Sequence, residues 1–238
     1  MIRNSIQHGK YTFGVIVDDK RLLEESFRLR FQVYAEEFGF EKKEDHPGGL
    51  ETDEYEDAAI HCVCLDDQEK VVGTVRLILD SDKGFPIEHA VPNLSIPWKM
   101  PDRKKIAEIS RLAISKKQRR KKNDVLPDDR TDYKETQDSS DPIIVLGLYQ
   151  IMYHESKRQG ITHWYMIVEK KLYDAANRFG FEFHQIGEPV WYHGERIPFL
   201  GTVEGNEQSV RKFDPNLFEV MIKGLEKKYQ PHCHLNDA

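Results

Sequence analysis

Arginines and carboxylates recur in four separated segments of this chain. LRFQVYAEEFGF carries Arg30, Tyr34 and Phe40; GLETDEYED carries Glu51, Asp53 and Glu56; GTVRLI carries Arg76; EISRLAI carries Glu108, Ser110 and Arg111. An arginine fork suits a carboxylate and an acid suits an ammonium group, so a set with both signs can hold a zwitterion such as an amino acid. A carboxylate can also take the proton of an ammonium group, a task worth about 10²–10⁴ in rate. Glu108, at the head of EISR, is the first choice for that base, directly or through a water. Asp53 is the second, and equally suits an anchor for the amine. The alternative is structural: Glu108 pairs with Arg111 or Arg76, and the arginines pin a helix and its loop to a sheet.

These side chains need elements to position them. Tyr11 to Val17 is a β-branched and aromatic run that reads as a strand. Asp18 and Asp19 offer a helix N-cap, and Leu23, Phe27, Phe31, Tyr34 and Phe38 recur at helical spacing until Gly39. Residues 40–57 read as an ordered, irregular loop. Ala58 to Leu65 and Val71 to Leu79 are strands around an Asp66-Asp67-Gln68-Glu69 turn. Residues 86–101, with prolines at 86, 92, 97 and 101, form a loop with one helical turn, and Lys105 to Ile114 is another strand. On that strand Glu108 and Ser110 share a face, while Arg111 points away unless a bulge intervenes. Residues 116–141 form a polar insert whose composition suggests mobility. Asp141-Pro142 opens a helix to about Arg158. Ile161 to Val168 is a strand, Lys170 to Phe179 a short helix ended by Gly180, and FEFHQIG with VWYHGERIPFLGTV suggests a final hairpin. Phe213 to Tyr229 reads as one C-terminal amphipathic helix.

Composition narrows the function classes. The chain has 238 residues, enough for a substantial core in one domain, 1–238. Its 35 Lys+Arg against 41 Asp+Glu give a net charge of −6, which excludes a general nucleic-acid coat. The longest apolar stretch, Ile143 to Tyr149, is far too short to cross a bilayer. Three cysteines, an odd number, and no secretion signal point to a reducing, cytoplasmic setting. Cys62 and Cys64 share a strand face and read as small core residues, and His232-Cys233-His234 lies in the tail, so no metal is expected.

The order of elements is that of the GNAT fold: a mixed, mainly antiparallel central sheet flanked by helices, an α/β (α+β) single domain. The four motifs, in their order and spacing, resemble the acyl-homoserine-lactone synthases. They are closer still to the exosortase (PEP-CTERM)-associated acyltransferases and the N-acyl amino acid synthases, over roughly residues 15–181. Phe40 stands where the lactone synthases typically have tryptophan, Tyr34 where they have phenylalanine, and Glu56 where they have aspartate. The glycine-rich pyrophosphate turn of ordinary CoA-dependent members is missing. Where those members often have a tyrosine, four residues before Gly180-Phe181, this chain has Ala176, with Tyr173 one turn earlier.

The resemblance implies N-acyl transfer: a fatty, long-chain acyl group passes from an acyl thioester to the amine of an amino-acid-like acceptor. No cofactor is bound permanently, and acyl-carrier protein or acyl-CoA serves as co-substrate. It also implies a bulge that turns the N–H groups near Leu112 and Ala113 toward the thioester carbonyl, one such donor being worth about 10²–10³ in rate. The run Lys116, Lys117, Arg119, Arg120, Lys121, Lys122 then reads as a dock for an acidic carrier protein or for CoA phosphates, or as a solvated loop. Nucleic acid fits less well, because no aromatics interleave. Leu146, Met152, Trp164 and Met166 could line an acyl tunnel or be ordinary core. The competing functions are a non-catalytic module that senses an acyl carrier and an ordinary acetyl-CoA N-acetyltransferase.

Overall fold

The computed structural model describes residues 1–120, 139–140 and 142–231. Among these, nine strands form one sheet. Its members are β1 (Ile2–His8), β2 (Tyr11–Ile16), β3 (Ala59–Leu65), β4 (Val71–Leu79), β5 (Ile106–Ile114), β8 (His163–Val168), β9 (His184–Gln185), β10 (Val190–Trp191) and β11 (Glu195–Thr202). They lie in the order β1-β2-β3-β4-β5-β8-β11-β10, with β9 also paired to β11. Two short strands, β6 (Arg119–Arg120) and β7 (Ser139–Ser140), pair with each other. The fold is the expected mixed, mainly antiparallel sheet flanked by helices.

The helices are α1 (Lys20–Phe31), α2 (Pro86–Ala90), α3 (Pro142–Gln159), α4 (Lys170–Asn177), α5 (Val203–Phe213) and α6 (Pro215–Ile222). Helix α3 covers the face of β1 to β4 on which Cys62, Cys64, Val75 and Leu77 are buried. Its approach is close because Gly147 faces the Phe13 ring, where a Cβ would lie 2.3 Å from a ring carbon. Helix α1 covers the opposite face through Leu22 and Leu29, with Val33 just beyond its end, against Val63, Leu65 and Ala113. Asp19 caps it, accepting the Leu22 N–H at 3.1 Å. The helix then widens into a π-helical turn over Gln32–Glu37, where the Phe38 N–H reaches back five residues to Val33, and Gly39 closes it at φ +64°.

The crossover through α3 makes β5 and β8 parallel. Their ladder runs only from Ile106↔His163 to Ile109↔Met166. Beyond it β8 continues to Val168 on β11, while β5 continues to Ile114 on β4. The two strands therefore part after Ile109, and a gap opens between them.

Several expectations need correction. The chain begins with β1, which the sequence reading missed; Asn4 at φ +54° and a register shift between Arg3 and Ile6 break its alternation. The expected single helix over 213–229 is instead the shorter α6 and a 3₁₀ turn at Lys227–Tyr229, and a further helix, α5, which was not expected, precedes it. Asp214 causes the break: its side chain accepts the N–H groups of Asn216 and Leu217, and Pro215 takes the first helical position. The final hairpin exists as β10–β11. The N-cap Asp141, most of the 116–141 insert, Lys121, Lys122 and the His232-Cys233-His234 cluster lie outside the described residues.

Candidate functional site

The site begins with a miscount between two strands. Thr74 pairs with Ala113 and Arg76 with Ser110, so two residues of β5, Arg111 and Leu112, stand opposite Val75 alone. This is a β-bulge, and Arg111 takes the left-handed conformation, φ +52°, that such a bulge demands of its first residue. A non-glycine residue there costs about 1–2 kcal/mol. The bulge turns the Arg111 side chain onto the face already occupied by Arg76 and Ser110.

Four segments meet on that face. Arg30, fully buried on α1, donates to Glu51 at 2.5 Å and forks onto Glu56 at 2.6 and 3.2 Å. Arg76 forks onto both oxygens of Asp53 at 2.7 Å, and also reaches Glu56 at 2.6 Å and Ser110 Oγ at 3.0 Å. Arg111 donates to Glu51 at 2.9 Å, and lies 3.2 Å from Glu41 and 3.3 Å from Asp53. The 51–56 loop is held locally as well, since the Tyr55 N–H binds Asp53 and the Asp53 N–H binds Glu56. Three guanidinium groups thus meet four carboxylates, Glu41, Glu51, Asp53 and Glu56, leaving an excess of one negative charge.

The electrostatics follow from this pairing. Burial alone would raise the Glu51 carboxyl, but Arg111 and Arg30 outweigh it and hold Glu51 low. Burial also opposes ionisation of Asp53, and the hydrogen bonds and charge of Arg76 overcome it, so Asp53 stays well below the usual carboxylate range. His61, 3.4 Å from Glu56, is pushed down to about 3 by burial and by Arg30 and Arg76, so it is neutral at physiological pH. Asp53 is therefore a poor base and a good anchor for a cation. Arg30 and Arg76, already committed to carboxylates of the chain, do not stand ready for a substrate carboxylate.

Glu108 differs from these acids. It is fully buried on β5, two residues before Ser110, and Oε2 accepts the Ile87 N–H at the start of α2 at 2.9 Å. Among the described residues its Oε1 has no hydrogen-bond partner. Burial pushes its carboxyl up to about 8, against the weaker pull of the Ile87 N–H and of Arg76 and Arg111. The ion pair of Glu108 with Arg111 or Arg76 is not formed; both arginines spend their donors on other acids.

The remaining expected residues are distributed as follows. Tyr34 donates to the Leu112 carbonyl at 2.7 Å, and burial raises its phenol to about 12. Ala113 is buried beside Leu29 and Val33. Phe40 stacks on Phe38 at 5.3 Å. Lys116 and Lys117 are exposed, whereas Arg119 is drawn inward onto Glu37 and over the Phe38 ring. Arg120 contributes its backbone to β6. Leu146, Met152 and Trp164 belong to the core around α3, and the Trp164 indole donates to Ser156 Oγ at 2.9 Å. Met166 stands at the last rung before β5 and β8 part. Among the described residues no cluster of His, Cys, Asp or Glu is arranged to hold a metal ion, and no helix is long and apolar enough to cross a membrane.

Sequence reasoning missed Glu41 and the tip of the β10–β11 hairpin. His193 Nδ1 donates to the Phe40 carbonyl at 2.8 Å and lies 3.6 Å from Glu41. Arg196 stacks 4.6 Å over the Phe40 ring and pairs with Glu169 at 3.2 Å. Tyr192, next to His193, is half-buried, and burial raises its phenol. The turn residues His193-Gly194 signalled a hairpin, but nothing in them signalled where its tip would land.

A model of the acetyltransferase (GNAT) domain matches residues 29–126, the stretch from Arg30 through the bulged strand. An acyl-homoserine-lactone synthase of Aliivibrio fischeri is 25% identical over 161 residues, covering 67% of this chain and 74% of that protein. The acyl-homoserine-lactone synthase LasI superposes with a TM-score of 0.61 at 18% identity, covering 85% of this chain and 94% of LasI. The N-acyl amino acid synthase FeeM, from uncultured soil microbes, superposes with a TM-score of 0.56 at 15% identity, covering 85% of this chain and 96% of FeeM. A CoA-dependent acyl-homoserine-lactone synthase, BjaI, solved with SAM and isopentyl-CoA, superposes at 0.60 with 20% identity, covering 83% and 82%.

Proposed function

Taking the chain as a GNAT-fold acyltransferase similar to acyl-homoserine-lactone synthases, we propose that it moves a long-chain fatty acyl group from an acyl thioester to the amine of a small, amino-acid-like acceptor. The observation that carries this reading is the meeting of Arg30, Asp53, Arg76 and Arg111 beside the gap between β5 and β8, with Glu108 buried next to them. In this reading the gap takes the thioester, and the carboxylate excess beside it favours an ammonium group.

In this reading Asp53 holds the acceptor ammonium, and its low affinity for protons keeps it charged while it does so. Glu108 takes a proton from that ammonium, directly or through a water. A carboxyl raised to about 8 suits the task, because a base works best when its pKa is near the working pH. The freed amine attacks the thioester carbonyl. In this reading the oxygen that becomes negative is held by the N–H groups of Leu112 and Ala113 at the end of the bulge, and the carbon–sulfur bond then breaks to leave an amide and a thiol. Ser110 and Arg111 act by position: Ser110 steadies Arg76, and Arg111 ties the Glu51–Asp53 loop to the bulge. Tyr34, Phe40, Glu51 and Glu56 shape the acceptor side, and Met166 marks where the acyl chain enters. The donor is an acyl-carrier protein or a CoA thioester, with exposed Lys116 and Lys117 as the nearest described part of its dock.

The test is mass spectrometry of lipid extracts from cells producing the protein or its Glu108→Gln variant. A new acylated amine that disappears with the variant supports the reading. An unchanged product with Glu108→Gln removes the base, and absence of any acyl product with the wild type favours a binding module instead.

A further inference from the structure

Glu108 has one hydrogen-bond partner among the described residues, the Ile87 N–H, 2.9 Å from Oε2. Ile87 sits in the first turn of α2, a helix of only five residues. So short a helix is marginal by itself, and the contacts that hold it decide where that N–H points. Glu88 fastens the turn from inside, since its Oε2 accepts the Phe85 N–H at 3.0 Å. Arg103 fastens Glu88 from outside. Its guanidinium forks onto Glu88 at 2.7 and 3.0 Å, reaches Asp80 at 2.8 Å and lies 5.1 Å over the Phe85 ring. Phe85 is fully buried, edge-on to Tyr165 at 5.7 Å, and Tyr165 pairs with Glu108 across β5 and β8. Arg103 stands in the 3₁₀ turn Arg103–Lys105 that leads into β5. One short segment thus grips the same turn of α2 twice, by Arg103 at Glu88 and by Glu108 at Ile87.

Resting on the reading of Glu108 as the base, we propose that Arg103 is its positioning residue: by clamping Glu88, it holds the Ile87 N–H on Glu108 Oε2. The half-exposed ion pairs of Arg103 add little to stability, so their effect falls on the orientation of α2. Burial raises the Glu108 carboxyl to about 8, and the Ile87 N–H is the largest pull the other way. The groups whose charge bears on Glu108 are Arg76 from β4, Arg111 from β5, Glu88 from α2, Tyr165 from β8, Tyr55 from the 51–56 loop and Tyr192 from the hairpin. Burial raises the three phenols, and the hydrogen bonds of Arg103 hold Glu88 low, so none of these four changes its charge between pH 5 and 9.5.

Arg103→Met, Arg103→Lys and Glu88→Ala are compared with the wild type over that range in two readouts. One is kcat/KM for acyl transfer. The other is the difference in urea unfolding between each protein and its own Glu108→Gln partner, which follows the Glu108 proton without any catalysis. A hydrogen bond to a charged group is worth about one pKa unit or more. Arg103→Met and Glu88→Ala should therefore move the Glu108 midpoint up by about one unit, with kcat/KM down about tenfold at pH 7. Arg103→Lys keeps a charge for Glu88 without the fork, and should move the midpoint less than half as far. Glu88→Ala separates position from charge: removing a negative neighbour would by itself lower the midpoint, whereas releasing the Ile87 N–H raises it. A lower midpoint in Glu88→Ala, or an unmoved one in Arg103→Met, overturns the proposal and leaves Glu108 as the base. If the unfolding midpoints move as expected but the wild type acylates no amine, Arg103 does hold Glu108 and acyl transfer is the reading that falls.

Discussion

Replacing Glu108 by glutamine removes one proton-binding group from a place without solvent, and the consequence for stability depends on pH in a way that can be calculated. In the folded chain the carboxyl titrates at about 8, against an ordinary 4.5. Below pH 4.5 both folded and unfolded chains carry the proton, and the group contributes nothing. Between 4.5 and 8 the unfolded chain releases its proton while the folded chain keeps it, so stability falls as pH rises. Above 8 the folded chain must hold a buried carboxylate, and the full cost is present. Each pKa unit is worth 1.36 kcal/mol, so a shift of this size amounts to about 5 kcal/mol. Glutamine keeps an acceptor for the Ile87 N–H and cannot ionise. The variant should therefore match the wild type near pH 4.5 and exceed it increasingly up to pH 8, where the gap levels off. Urea unfolding of both proteins across pH 5 to 9 measures it directly. Parallel stability curves would refute the idea that burial governs this carboxyl. The same variant should lose about 10²–10⁴ in kcat/KM, and the wild-type rate should rise with pH through about 8 as the base becomes available.

Asp53→Asn leaves the buried Arg76 with one fewer counter-charge, and should raise acceptor KM more than tenfold while changing kcat less, as measured by initial rates over a range of acceptor concentrations. Arg30→Met removes one of the two arginines that each of Glu51 and Glu56 pairs with, leaving buried negative charge under-compensated, and should destabilise the fold by about 3–5 kcal/mol in urea unfolding. Gly147→Ala drives a methyl group into the Phe13 ring and should cost about 1–3 kcal/mol, visible as a lowered unfolding midpoint with acceptor KM unchanged. Charge reversal at Lys116 and Lys117 should raise donor KM severalfold at low salt and abolish its salt dependence; a donor KM indifferent to both salt and charge reversal would discard the docking surface.

The central strands were legible because each is a short apolar run bounded by turn residues. Helix α1 was legible because Leu23, Phe27 and Phe31 keep helical spacing after a capping aspartate. The convergence of Arg30, Asp53, Arg76 and Arg111 was anticipated as a set of residue types, but their partners were not. Sequence spacing cannot show that Arg30 and Arg76 would be saturated by Glu51, Asp53 and Glu56, because that depends on the loop 40–57 folding back over β4. Glu108 looked like one more member of the ion-pair set. Its separation is one of distance along the strand and not of face: two residues before Ser110 on the same side of β5, it lies far enough along to meet the Ile87 N–H of α2 while Arg76 and Arg111 are taken up by other acids. The C-terminal helix was begun at Phe213, although Asp214-Pro215 marked its true start, and was carried past Ile222, although Gly224 at φ +87° closes it; α5, just before, was missed because no helix was read between the hairpin and Phe213. The landing of the β10–β11 tip was invisible for a geometric reason, because it is set by the distant Phe40 carbonyl and the Arg196–Glu169 pair.

The odd residue in β5 has an implication for how this chain can change. Arg111 reaches the carboxylates only because one strand counts three steps where its neighbour counts two. Deleting Leu112 would repair the ladder, yet it would place Arg111 opposite Val75 and swing the guanidinium to the α3 side, into a hydrophobic interior. Variation in length is thus closed off at this spot even where variation in side chain is tolerated, and insertions or deletions compatible with activity should be confined to the loops on either side.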